Sequence, residues 1–411
     1  NYEFSKKRFK NPLKMIRDLR KDGFRVSLWQ LSYFTPNNSL FKEIVSQGLA
    51  VKDPKGGLPT DDAVLDFSNP VTVKWYQGKL AKLLRMGVGA IKVDFGEAAP
   101  ANGLYASGRT GFFEHNYYPL RYNKAAADIT TRTTGEHIIW ARSAWAGSQR
   151  YPLHWGGDAE TNDGGMAASL RGGLSLGLCG FSFWSHDIGG FVKSPPLDLY
   201  KRWMPFGMLT SHSRCHGVPP REPFGYGQAF VDEFRKDVEL KYRLMPYVYA
   251  QAKDCSEKGF PMLRPLFFEY PGDPTSWMIE DEYLLGSDLL VAPLMEETRT
   301  RNVYLPPGTW VDYQSGKEYR GAQWHKMAPG PIPCAILVRA GAVLPHLALA
   351  QTTAKMDFSK VELKVYGAGT RAEGLYCSPK DNVLRKLVVE RQGGTWVLAG
   401  PAPKKVKFKI L

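Results

Sequence analysis

The stretch MGVGAIKVDFGEAAP, residues 86–100, decides how the chain is read. An apolar run over 88–93 ends in Asp94, and Phe95, Gly96 and Glu97 follow at once. Side chains alternate along a strand, so Lys92 and Asp94 point to the same side. An acid at the end of a buried strand is costly to keep there without partners, and a cation beside it favours its ionised form. Asp94 therefore reads as a functional acid or as the cap of the following turn. AIK and DFG are also protein-kinase signatures. In a kinase, however, most of the fold and an HRD loop separate them, whereas here Lys92 and Asp94 are two residues apart and no HRD occurs.

Working outward, Ser68, Asn69 and Pro70 open a predicted helix whose apolar positions Tyr76, Leu80, Leu83 and Leu84 form one stripe. Gly87 closes it before the strand that carries Asp94. The same grammar occurs earlier, where Asn11 and Pro12 start a helix and Gly23 precedes a strand over 24–34. Downstream the pattern predicts a helix near 122–134, strands over 137–142 and 152–155, and a helix over 166–176. A strand over 181–184 then runs into SHDIGGF, and a helix near 198–210 precedes SHSRCHG. Helices alternating with short apolar strands imply βαβ units and a parallel sheet, whose active site belongs at the C-terminal strand ends. Those ends carry Lys92 and Asp94, Arg142, Trp155 and Asp158, His186 and Asp187, then Arg214 and His216. The expected fold class is α/β, a (β/α)8 TIM-type barrel, although only about six strands are visible against the eight required. Either the first barrel strands lie outside this chain or the sheet is open.

After a long helical stretch over 230–257 the grammar changes to short strands with turns. The expected organisation is an N-terminally incomplete barrel over 1–281 and two small all-β domains of β-sandwich type, proximal over 282–350 and distal over 351–411.

Composition narrows the function classes. A chain of 411 residues with 43% hydrophobic and 13% aromatic residues builds large cores, and no run is long and apolar enough to span a membrane. The opening NYEFSKKRFKNP has no apolar signal-peptide region, which leaves cytoplasm and periplasm both open. Cys179, Cys215, Cys255, Cys334 and Cys377 are scattered and form no CxxC, so they read as buried free thiols, with no metal site. The net charge of +14 is spread along the chain apart from short clusters such as Lys6, Lys7, Arg8 and Lys404, Lys405. Without a nucleic-acid motif it reads as a solvated basic surface, with no nucleic-acid partner. Oligomeric state is open, and a homo-oligomer is compatible.

The second acid is Asp158, in HWGGD. Two glycines allow the backbone to bring it close to a ligand, and Trp155 offers a face that stacks on a sugar ring. A plain turn also fits. Paired with Asp94, on what read as neighbouring strand ends, it gives two carboxyls that can face one another across a cleft, as glycosidic bond cleavage needs.

The ordered set KVDFGE, ARSAWAG, HWGGD, SLRGGLSLGLCGFSFWSHDIGGF and SHSRCHG resembles glycoside hydrolase family 31, most of all its bacterial α-xylosidases. The resemblance runs over nearly the whole chain. It implies hydrolysis of α-glycosidic bonds with retention, Asp94 as nucleophile and Asp158 as general acid/base, with Glu97 in the same motif or merely supporting it. It further implies that Lys92, Arg142, Asp187 and His216 line the glycone site, with Trp155 and Trp184 as walls. Structural alternatives are a carboxylate pair for Arg142 and a satisfied core position for His216. Asp158 must start protonated, which calls for a drier or more negative setting, and retention implies carboxyls about 5 to 5.5 Å apart. The expected partner is an oligosaccharide or small glycoside, with no cofactor. The resemblance also implies that a preceding segment or companion chain supplies the missing barrel strands.

Overall fold

A computed structural model describes residues 2–59, 61–367, 369–399, 403 and 405–411; Lys404 of the second basic cluster lies outside them. The chain divides into two compact units, the first ending at Trp155 and the second running over Gly156–Leu411.

In the first unit the elements are α1 (Pro12–Lys21), β1 (Ser27–Gln30), β2 (Tyr33–Phe34), α2 (Phe41–Ser46) and β3 (Ala63–Val64). There follow α3 (Pro70–Arg85), β4 (Ala90–Val93), α4 (Gly111–Thr134), β5 (Ile139–Ala141) and β6 (His154–Trp155). The expected helix starts are present: Asn11 and Asn69 accept from backbone N–H groups of the first turn, each with proline behind the cap. β1, β4, β5 and β6 pair in that order, all parallel. Tyr76, Leu80 and Leu84 of α3 pack with Ile91 and Val93 of β4 and Ile139 of β5 in one core.

Five expectations need correction. Of the cysteines expected to be buried, Cys179 and Cys215 are exposed. The strand expected over 24–34 is shorter: Ser27–Gln30 joins the parallel sheet, while Tyr33–Phe34 turns away to pair antiparallel with β3. The helix expected from 122 starts at Gly111, capped by the Thr110 hydroxyl accepting from Phe113 N–H, and it runs through a buried Pro119. Proline normally marks a helix end, which is why the sequence pattern placed the start beyond it. The helical stretch 230–257 is two helices, broken at Leu244 by Pro246 in the first turn of the second. Finally, the strands leading to the two acids are not neighbours, because β5, which leads into Arg142, lies between β4 and β6.

The second unit begins with α5 (Asp163–Leu178), β7 (Trp184–Ser185), α6 (Leu197–Met208), α7 (Gln228–Arg243) and α8 (Met245–Lys258). It continues as β8 (Leu263–Arg264), β9 (Tyr283–Leu285), β10 (Leu289–Pro293), β11 (Arg301–Leu305), β12 (Thr309–Asp312), β13 (Glu318–Arg320), β14 (Gln323–Met327) and β15 (Cys334–Arg339). The last strands are β16 (Val343–His346), β17 (Lys360–Val365), β18 (Arg371–Cys377), β19 (Leu384–Gln392), β20 (Thr395–Ala399) and β21 (Lys405–Ile410). One sheet has the order β13-β12-β15-β10-β9-β8, and β11 pairs with β14. β16-β17-β21 and β18-β19-β20 form two smaller sheets around Val343, Leu363, Leu387 and Val389. Pairing thus crosses residue 281, through β8 with β9, and residue 350, through β16 with β17.

Candidate active site

Asp94 follows the C-terminal end of β4, with its N–H donating to Gln30 O of β1 at 3.1 Å. It is buried, only 6% exposed, yet its carboxylate is surrounded by donors. Oδ1 accepts from Phe95 N–H at 2.9 Å and lies 3.3 Å from the Arg142 guanidinium. Oδ2 accepts from Trp29 Nε1 at 2.6 Å and lies 3.4 Å from Lys92 Nζ. Two N–H donors and two cations therefore neutralise one carboxylate, with its carbonyl held by the Tyr122 hydroxyl at 3.1 Å.

The loop after Asp94 is shaped to allow this. Phe95 sits at φ +59° and Gly96 at φ +104°, left-handed conformations that turn the chain sharply off the strand. A Cβ on Gly96 would come within 2.5 Å of Ser143 Oγ, which donates to Phe95 O at 2.7 Å. The Arg142 guanidinium lies 3.9 Å from the Phe95 ring centre and also pairs with Glu97, whose side chain is half exposed. Glu97 thus touches Arg142. Trp155 is buried, and Lys92 Nζ lies 4.7 Å over its ring.

Trp29 is the residue the sequence reading missed. Only the strand register reveals it: Trp29 pairs with Lys92 across the parallel β1 and β4, so both point to the side of Asp94.

In the second unit, Gly157 takes φ +77°, and a Cβ on Gly156 would meet the Trp184 ring at 3.0 Å. The two glycines of HWGGD are needed for the turn and for this close approach. Asp158 beyond them is exposed, so burial by the described residues does not supply the dry setting expected for a starting acid. Trp184 is buried, as is Asp187, which accepts from Arg214 Nε at 2.7 Å in a multi-contact pair. His186 stacks on Phe206 with ring centres 4.1 Å apart, and burial, aided by the charge of Lys241, pushes its pKa down to about 3. His216 is half-buried with its ring 5.5 Å from that of Phe191.

A second missed residue organises this region. Lys241, on α7, is buried and donates to Met208 O at 3.1 Å, Thr210 O at 2.8 Å and Ser213 Oγ at 2.8 Å. These acceptors span the segment from the end of α6 to Arg214. Burial holds the Lys241 ammonium down to a pKa of about 7. Its position within a helical pattern gave no hint that it turns inward.

The sequence matches the TIM-barrel domain of glycosyl hydrolases family 31 over residues 1–251, and the C-terminal domain of that family over 259–344. The chain belongs to glycosyl hydrolase family 31. Its fold is accordingly α/β, with the family's TIM-barrel domain followed by a β-rich C-terminal part. An α-xylosidase of Emericella nidulans is 38% identical over 84% of this chain and 46% of its own length. The α-xylosidase XylQ of Lactiplantibacillus pentosus is 35% identical over 89% of this chain and 50% of its own. The chain therefore spans about half the length of these relatives. Among solved structures, a family 31 dextranase of Flavobacterium johnsoniae complexed with glucose superposes with a TM-score of 0.87 at 27% identity, covering 94% of this chain and 53% of that one.

Proposed function

We propose that this family 31 chain carries the catalytic centre of a retaining α-glycosidase that removes non-reducing-end α-xylosyl residues from an oligosaccharide or small glycoside. The observation that carries the reading is the setting of Asp94, a buried carboxylate at a parallel strand end with four donor groups around it. A nucleophile must be held in one rotamer and still be open toward the anomeric carbon; the N–H groups and cations supply the first.

Asp94 attacks the anomeric carbon while Asp158 gives its proton to the leaving oxygen. A glycosyl ester forms on Asp94, and the aglycone departs. Asp158, now a carboxylate, takes a proton from water, the water oxygen attacks the same carbon, and the ester bond breaks to free Asp94. Two inversions give net retention. Because Asp158 is exposed, a seated sugar has to exclude water from it for the first proton transfer. Arg142 bridges Asp94 and Glu97 and so fixes the nucleophile's loop. Lys92 and the walls of Trp155 and Trp184, with Asp187 and His216, define the glycone side.

The identity to two α-xylosidases supports the xylosyl glycone. The likeness to a dextranase complexed with glucose favours a second reading within the same chemistry, an α-glucosidase; an α-galactosidase or transglycosylase is the remaining alternative of that chemistry. A binding protein that has lost turnover is the reading from another class. Among the described residues β1 is an edge of its sheet, which supports pairing there by a preceding segment or companion chain.

The test is hydrolysis of aryl α-xyloside, α-glucoside and α-galactoside by the chain and by Asp94→Ala. Fastest turnover of the xyloside, reduced at least about 1,000-fold by the substitution, is expected. Preference for another glycoside defeats the xylosyl assignment, and turnover that survives the substitution defeats the nucleophile.

A further inference from the structure

The net charge of +14 plays no part in the site described above, and the distal sheet gathers a share of it in one place. β17 and β21 pair in parallel with Lys360 opposite Lys405, Glu362 opposite Lys407 and Lys364 opposite Lys409, all on one face. Arg243 at the end of α7 joins Lys360, Glu362, Lys405 and Lys407 in lining a cavity of about 400 Å³. Lys360 pairs with Asp357 at 2.8 Å. Among the described residues, no salt bridge to Arg243, Lys364, Lys405, Lys407 or Lys409 is present, and Glu362 is the acid on this face. Burial lowers the pKa of Lys364, with Lys409 and Arg243 adding to the effect and Glu362 opposing it.

Like charges directly opposite one another destabilise a sheet. Lysines on β21 alone would be explained by its edge position, since edge charges discourage further pairing. That account does not extend to Lys360 and Lys364 on the central strand β17, or to Arg243 arriving from a helix. Cations drawn from three elements and converging on one concavity are what a bound anion would need. The cavity lies in the size range of small-molecule sites, and the cations surround it rather than running as a long stripe, which fits a compact ligand better than a polymer.

We propose that this face of the distal β-sheet binds a small multivalent oxyanion of the phosphate class, held by Arg243, Lys360, Lys405 and Lys407, which line the cavity. The experiment is calorimetric titration of the chain with sodium pyrophosphate and with inorganic phosphate at low ionic strength, using sodium chloride at matched ionic strength as reference. One saturable site is expected, tighter for pyrophosphate than for phosphate. Lys405→Gln with Lys407→Gln should weaken it by about tenfold or more. Heats equal to the chloride reference, or affinity untouched by the double substitution, would each overturn the proposal. So would tight binding of a nucleic acid or sulfated polysaccharide without saturable binding of pyrophosphate. None of these readouts depends on glycosidase activity.

Discussion

Asp94 shows how one residue joins fold to chemistry: the strand that buries it also aligns Lys92 and, through register, Trp29 beside it. The indole N–H at 2.6 Å is the shortest of the contacts to this carboxylate and the simplest to remove. Trp29→Phe keeps most of the ring and deletes one hydrogen bond to a charged group, worth about 1.5 to 3 kcal/mol. If that bond holds the nucleophile in place for attack, kcat/KM for an aryl glycoside should fall by roughly 10- to 150-fold. An unchanged kcat/KM would show that the bond is structural only. Lys92, Asp94 and Arg142 were legible in the sequence because they stand at strand ends, where polar residues after apolar runs are conspicuous. Trp29 was not, because an aromatic within a strand reads as packing until its partner strand is known.

At the scale of elements, the segment from Met208 to Arg214 is irregular, and the buried ammonium of Lys241 holds it in place. Arg214 at its end pairs with Asp187, so the clamp and the expected glycone residues are mechanically linked. Lys241→Met, which leaves three acceptors without their donor, should raise KM more than it lowers kcat, whereas Lys241→Arg should recover a large part of the loss. Equal effects of both substitutions on kcat and KM would argue for a general loss of folding instead. The alternation of helices and strands was readable because caps, stripes and closing glycines agree, as at Asn69, Tyr76 and Gly87. Element ends were less legible. Pro119 inside α4 hid that helix's first turns, and Pro246 in the first turn of α8 marks a break that the long helical pattern masked. The order of strands was also out of reach, since register across a parallel sheet is set by packing and leaves no local mark.

For the molecule as a whole, three buried histidines tie stability to pH. Burial lowers the pKa of His154 to about 4, and those of His186 and His346 to about 3. Below its unfolded pKa such a group binds its proton in the unfolded chain first, so stability falls as pH drops through the interval from about 6.5 toward the folded value. His186→Phe, which keeps an aromatic on Phe206, should remove one such contribution. Between pH 6.5 and 5 the wild type should lose about 2 kcal/mol more than this variant, measured by denaturant unfolding at each pH. Parallel pH profiles would show that His186 is not held neutral by the fold. The central claim, that Asp94 is the nucleophile of a retaining reaction, is tested most directly by trapping the covalent intermediate. After reaction with a 5-fluoro-α-xylosyl fluoride, proteolysis and mass spectrometry should find one glycosyl ester, on the peptide containing Asp94, with loss of activity in step with labelling. A label on another carboxylate, or continued turnover with Asp94 unlabelled, would contradict it.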